Sequence, residues 1–162
     1  MKRAVRAIII KGDIRQGIKD AALLTMHRNK FGEEYDTLIG GGVEMHESLE
    51  QALQREIAEE TGVQVAHPRL VYIERAERMY GVQYIYLCEY VAGDPTLSAE
   101  SEEAKISALG KNIFQPRWLR LDSLSDAPFV SVGIKKRILQ AVERGGVWPT
   151  EPEIFEHTQT SF

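Results

Sequence analysis

Glu56, Glu59 and Glu60 carry the strongest chemical signal in the chain. At about 100° per residue, Leu49, Ala52, Leu53 and Ile57 form one apolar helical stripe. Glu56 and Glu60 project from the middle of that stripe, and Glu59 lies at its margin. An amphipathic helix ordinarily keeps its carboxylates on the opposite face. Three anions gathered beside a core repel one another and lose hydration, which is costly unless a cation balances them. Oxygen-only donors suit a hard divalent ion. Mg²⁺ in particular takes a few carboxylates together with water and phosphate oxygens. The same residues admit a plainer reading, a solvated acidic patch paired with Arg55. Upstream, Gly40-Gly41-Gly42 would permit a tight turn and close approach of backbone N–H groups to a phosphate. A helix N-terminus beyond it also favours anions, so phosphate- and metal-binding groups fall within one supersecondary unit.

The elements that must position these groups are legible as strands and helices. Ala4 to Lys11, Ala21 to His27 and Asp36 to Ile39 are short, apolar and rich in branched residues, the last ended by the glycines. Ser48 followed by Gln51 forms a capping-box signature, and Gly62 supplies a helix stop. Arg69 to Arg75 and Val82 to Val91 read as strands paired through Met79-Tyr80-Gly81. Residues 92–112 read as a long exposed loop, and Phe114 to Leu121 as a strand whose Pro116 favours the rim of a sheet. Ser131 to Arg144 predicts a second helix, with Ile134, Ile138, Ala141 and Val142 on one face. Residues 1–146 are expected to form one α/β domain, and residues 147–162 a loosely ordered tail.

Composition narrows the function classes. The 162 residues, 43% hydrophobic and 27% charged, suit a single domain with a sizeable core. Twenty Lys and Arg against 24 Asp and Glu leave a net charge of −4, which argues against a general binder of nucleic-acid backbone. The longest apolar runs are four or five residues, against about 20 for a membrane span. Arg6 and Lys11 interrupt what would be the apolar region of a signal peptide. A lone Cys88 excludes an internal disulfide and a cysteine-rich zinc site. A cytoplasmic protein without membrane or nucleic-acid partners is the expectation.

Around the three glutamates the chain resembles the Nudix hydrolase family. That signature is Gly, five residues, Glu, seven residues, then Arg-Glu-aliphatic-any-Glu-Glu-any-Gly-aliphatic. Gly41, Glu47 and Arg55-Glu56-Ile57-Ala58-Glu59-Glu60-Thr61-Gly62-Val63 fill every defined position. The resemblance implies an α/β/α sandwich, with a mixed β-sheet between helices, over about residues 3–145. It implies cleavage of a pyrophosphate bond in a nucleoside di- or triphosphate derivative with Mg²⁺ or Mn²⁺, oxidised or otherwise modified nucleotides included. By the same resemblance Glu56, Glu59 and Glu60 are ligand candidates, Glu59 is the candidate base, and Glu47 is an outer-shell or second-ion ligand. Arg55 orients the glutamates, Gly41 and Gly62 fix the loops, and a distant loop often adds one more glutamate. Glu100, Glu102 and Glu103 compete for that role, with Glu103 the choice. Two positions depart from many members: Ile39 stands where Pro is frequent, and His46 where Gly is frequent.

Substrate choice is less constrained. The proline that the resemblance associates with ADP-ribose hydrolases would fall at Met79, which weakens that reading. Tyr80 resembles a tyrosine of dinucleoside polyphosphate hydrolases, with core packing as the other explanation. Only Leu23-Leu24-Thr25 matches the coenzyme A pyrophosphatase pattern. Gly41, Gly42, His27, Arg28 and Tyr84 are candidate substrate contacts, and Asn112 a candidate pocket residue. Tyr84, Tyr86 and Tyr90 share one strand face and could stack on a base, or serve as core. The alternatives to a nucleotide pyrophosphohydrolase are a dinucleoside polyphosphate hydrolase, an RNA-cap pyrophosphatase and a non-catalytic nucleotide sensor. A homodimer is compatible with each.

Overall fold

The apolar alternation of the first strand, Val5, Ala7 and Ile9 on one side and Ile8 on the other, can be satisfied only if both faces of the sheet are covered. The computed structural model, which describes residues 2–76 and 81–158, shows how this is done. Eight strands form one mixed sheet: β1 (Arg3–Lys11), β2 (Ala22–Lys30), β3 (Glu33–Gly42), β4 (Gln64–Ala76), β5 (Gly81–Ala92), β6 (Asn112–Arg120), β7 (Phe129–Val130) and β8 (Glu153–Glu156). The order is β6-β2-β3-β1-β5-β4-β8, with β7 beside β3. Helix α1 (Leu49–Glu60) covers one face and α3 (Val132–Glu143) the other, while α2 (Glu102–Ser107) packs near β6. This is an α/β/α sandwich with a mixed sheet at its centre.

Two apolar layers hold the sandwich together. Ala52, Leu53 and Ile57 of α1 pack on Val5, Ala7, Ile9, Leu24 and Ile39. Ile134, Ile138 and Val142 of α3 pack on Ile8, Leu23, Leu38 and Ile85 on the opposite side. Helix α1 begins with a complete capping box: Gln51 N–H donates to Ser48 Oγ at 3.1 Å, and Ser48 N–H donates to Gln51 Oε1 at 2.9 Å. It ends at Gly62, whose φ of +68° suits the residue after a helix and whose N–H reaches Ile57 C=O at 2.9 Å. No helix among the described residues is long and apolar enough to cross a membrane. Burial pushes the Cys88 thiol up to about 12, so it behaves as a core residue.

Three expectations need correction. Residues 92–112 are not wholly loop, because Ser101 caps α2 by accepting from Ala104 N–H. The glycines do not end the strand: β3 runs through Gly42, since each of the first two lets another group approach closely. The tail is not loose over its described part. Glu153–Glu156 pairs parallel with Tyr72–Arg75 of β4, and Trp148 packs on the α3-side core. Its apolar anchor, Phe155, meets Tyr72 edge-on at 6.4 Å between centroids and lies 3.7 Å beneath the Arg137 guanidinium. Phe155→Ala is expected to cost about 3 kcal/mol, measured by denaturant unfolding; a loss within experimental error would mean that the tail does not support the core.

Candidate active site

The second half of α1 faces the end of β3, and the carboxylates meet the glycines there. Glu60, 4% exposed, accepts the Gly40 N–H at 2.9 Å. Burial pushes its pKa up to about 8; the Gly40 bond and Arg6 pull it down, while Glu56 and Glu103 push it higher. Glu56, 5% exposed, is also raised by burial, against the pull of Arg55. Its Oε1 accepts from Arg55 Nη1 at 2.9 Å. Its buried Oε2 has no hydrogen-bond partner among the described residues.

Glu103, near the start of α2, completes the group. Glu56, Glu60 and Glu103 each offer an oxygen within 4.8 Å of the others. Three close carboxylates, two buried and one with an orphaned oxygen, are the donor set that a hard divalent cation satisfies. Of the competing loop glutamates, Glu100 and Glu102 line the adjoining cleft but do not join this group. Glu59 also stays outside it: its side chain is 42% exposed and lines the cleft, a cavity of about 450 Å³ bounded by Gly41, Gly42, Glu44 and the 100–103 segment.

Arg55 is the hub of the polar contacts. Its Nε and Nη2 donate to the two Glu47 oxygens at 2.7 and 3.0 Å, and Nη2 also donates to Gly42 C=O at 2.9 Å. Nη1 reaches Glu59 at 3.5 Å. The bidentate guanidinium, helped by Glu44 N–H, holds the Glu47 carboxyl down at about 2. Both Glu47 oxygens accept from Arg55, Oε1 also accepts the Glu44 N–H at 2.9 Å, and Glu47 is not among the three grouped carboxylates.

The glycines divide their labour. A Cβ on Gly41 would lie 2.6 Å from Glu56 Oε1, whereas one on Gly40 would lie 1.9 Å from the Val5 carbonyl oxygen. The first obstacle is a side-chain tip, the second is backbone. Gly41→Ala is therefore expected to fold with a loss of no more than ~1 kcal/mol while divalent-ion binding weakens roughly 10- to 100-fold. Titration of Mn²⁺ alongside thermal melting checks both halves, and undiminished binding would contradict the prediction. The Gly40 N–H, already bonded to Glu60, is not free for a phosphate as the sequence had suggested.

The remaining candidates separate by face. His46 keeps φ at +67°, so this exposed residue occupies the left-handed conformation that favours glycine. Along β2, Arg28 shares the α1 side with Leu24 and Met26, while His27 follows Leu23 and Thr25 to the α3 side. Arg28 Nη2 donates to Asn112 Oδ1 at 2.6 Å, and the guanidinium lies 3.6 Å from the Phe114 ring centroid. Burial lowers its pKa, against the pull of Tyr35 and of the Glu60 and Glu103 carboxylates. His27 is directed away from the cleft, 2.8 Å from the buried Asp36, which Thr25 and Arg117 also bind. Tyr84 does not line the cleft; it packs against the α1-side core, because helix α1 covers that face of β5. Tyr86 is buried, and Tyr90 packs edge-on against Trp118 at 5.1 Å. Met79 and Tyr80 lie outside the described residues.

A glycine-lined strand end, a helix bearing Arg-Glu and Glu-Glu pairs, and a glutamate delivered from a distant segment thus meet at one cleft. The model of the NUDIX domain matches residues 1–142, and the chain belongs to the Nudix hydrolase family. Among curated relatives, NAD-capped RNA hydrolase NudC of Escherichia coli O157:H7 is 31% identical over 110 residues, 67% of this chain and 38% of that protein. The Shigella flexneri NudC is 27% identical over a similar span. The chain thus matches well under half the length of these relatives. Among solved structures, a NUDIX hydrolase from Nitrosomonas europaea superposes with a TM-score of 0.65 at 19% identity, over 96% of this chain and 78% of the other. An ADP-ribose pyrophosphatase from Streptococcus suis superposes at 0.62 and 17% identity, over 95% and 98%. These structural likenesses speak to the fold.

Proposed function

We propose that the chain is a Mg²⁺- or Mn²⁺-dependent hydrolase that cleaves a pyrophosphate bond in a small nucleoside di- or triphosphate derivative. The observation that carries this reading is the buried Glu56 carboxylate, grouped with those of Glu60 and Glu103 and with its Oε2 lacking a hydrogen-bond partner among the described residues. Glu56, Glu60 and Glu103 would hold the ion. When bound, it supplies charge neutralisation at phosphate oxygens and a lowered pKa for a bound water. Glu59, on the open wall of the cleft, is suited to take the proton of an attacking water. Arg55 keeps Glu56 and Glu59 oriented, with Glu47 anchoring Arg55 in turn. Gly41 and Gly42 leave the cleft wall open to phosphate, and Arg28 offers a positive group on the same side of the sheet.

A second reading is favoured by the curated relatives: removal of a nicotinamide dinucleotide cap from RNA, in which case the partner is a nucleic acid. The net charge of −4 weighs against it. A panel of nucleoside triphosphates, oxidised nucleotides, ADP-ribose, dinucleoside polyphosphates, NAD and NAD-capped RNA, each with Mg²⁺, Mn²⁺ or chelator, discriminates these substrates. Metal-dependent turnover of a free nucleotide, lost in Glu59→Gln and Glu60→Gln, is the expected result. No turnover across the panel, with ion binding unchanged in both variants, would overturn the enzymatic reading in favour of a sensor.

A further inference from the structure

Gly40 stands at a junction in the sheet. β3 pairs with β2 as far as Leu38 and with β1 from Ile39 onward, so Gly40 has a strand on one side only among the described residues. Side chains take its two backbone groups instead. The N–H donates to Glu60 at 2.9 Å, and the C=O accepts from Arg6 Nη1 at 3.3 Å. Arg6 Nη1 also donates to Leu38 C=O at 3.0 Å. Arg6 lies on the α3 side of β1, in register with Gly40, and works from the opposite face of the sheet to α1. A Cβ on Gly40 would come 1.9 Å from the Val5 carbonyl oxygen and 2.9 Å from both Arg6 Cα and Cδ, so glycine here admits the β1 backbone together with the arginine stem.

Arg6 is itself held from behind. Its Nε donates to Gln83 Oε1 at 2.7 Å, and Gln83 Nε2 donates to Glu74 Oε1 at 3.0 Å. Glu74 is fully buried, and its other oxygen meets His157 Nδ1 at 3.1 Å, just past β8. This polar line crosses β1, β5 and β4 on the face that carries the core of Ile8, Leu23 and Ile85. Polar groups buried in such a line fix one arrangement because every alternative leaves a partner unsatisfied.

We propose that Arg6 is a positioning residue of the carboxylate centre: through Gly40 it fixes the orientation of Glu60, and Gln83, Glu74 and His157 lock Arg6 in place. The inference rests on the ion-binding role proposed for Glu60. A guanidinium that holds the carbonyls of the 38–39 and 40–41 peptides brackets the 39–40 peptide, whose N–H bonds Glu60, and its planar fork, fixed by the Gln83 amide, does so as a lysine ammonium does not.

The test is Mn²⁺ binding by electron paramagnetic resonance, with thermal melting in parallel, on wild type, Glu60→Gln, Arg6→Met, Arg6→Lys and Gln83→Met. Arg6→Met is expected to weaken Mn²⁺ binding roughly 10- to 100-fold, Gln83→Met by a smaller factor, and Arg6→Lys to recover part of the loss. Ile138→Val, a core change on α3, lowers the melting temperature without altering Mn²⁺ affinity and serves as the control for destabilisation. Unchanged affinity in Arg6→Met, or in Gln83→Met should the former not fold, overturns the proposal and leaves Arg6 purely structural. Absence of Mn²⁺ binding by the wild type, or full binding by Glu60→Gln, overturns the ion-binding reading and this inference with it.

Discussion

Replacing Glu56 by Gln is expected to lower kcat about a thousandfold while leaving the metal-free protein more stable than wild type. The two effects share one cause. Glu56 is buried with one oxygen unpartnered, and burial raises its pKa because the charge is poorly solvated. Glutamine keeps an oxygen that can accept the Arg55 hydrogen bond, and it removes the charge, a gain of roughly 1 kcal/mol. The same exchange removes an anion from the proposed ion site, and about 4 kcal/mol of lost charge stabilisation corresponds to the stated drop in rate. Steady-state kinetics and chelator-treated melting curves read the two halves separately. A variant that loses activity and stability together would show that Glu56 is a structural residue.

Metal-free stability is expected to fall as pH rises from about 5 to 8, and saturating Mg²⁺ or Mn²⁺ is expected to restore it. Glu60 is raised from 4.5 to about 8, and Glu56 in the same direction, so the folded state binds more protons than the unfolded one across this interval. The Glu60 contribution is fully present below 4.5 and is lost as pH passes through about 8, and Glu56 acts with the same sign. Asp36 and Glu47 have the opposite sign. Asp36 is pushed up by burial but pulled further down by Arg117, His27 and Thr25, and Glu47 is lowered chiefly by Arg55, so both act only at acid pH. The decline is on the order of 3 kcal/mol, or roughly 10 °C in melting temperature. Melting curves at pH 5.5, 7 and 8.5, with chelator and with metal, check it. A flat profile with chelator would contradict the burial of charge at Glu60, and Glu60→Gln should flatten it.

Short-range patterns were the legible part of the fold. The capping box at Ser48, the stop at Gly62 and the apolar faces of α1 and α3 each depend on residues within a few positions of one another, so periodicity and caps suffice. The tail was not legible because four residues with two prolines nearby carry no strand signal of their own; β8 exists through its pairing with β4. Glu56 and Glu60 were legible because carboxylates on an apolar stripe are conspicuous. Glu103 depended on how residues 92–112 fold over the sheet, which spacing does not encode. Arg28 and His27, adjacent in sequence, go to opposite faces, and the turned-in Asp36 explains why the histidine is drawn away. Arg6, Glu74 and Gln83 did leave a trace, as polar residues at inward positions of apolar strands. Only the three-dimensional order of β3, β1, β5 and β4 joins them to Glu60.

The outermost strands of the sheet among the described residues bear on solution behaviour. β6 carries Pro116, which lacks an N–H, together with Arg117 and Arg120, and Lys111 just precedes it. β8 is four residues long, bears Glu153 and Glu156, and follows Pro149 and Pro152. Each is a poor template for another chain's backbone, one through proline and cationic side chains, the other through shortness and negative charge. Cross-β propagation is thereby disfavoured at both flanks, and concentrated protein is expected to stay free of fibrils.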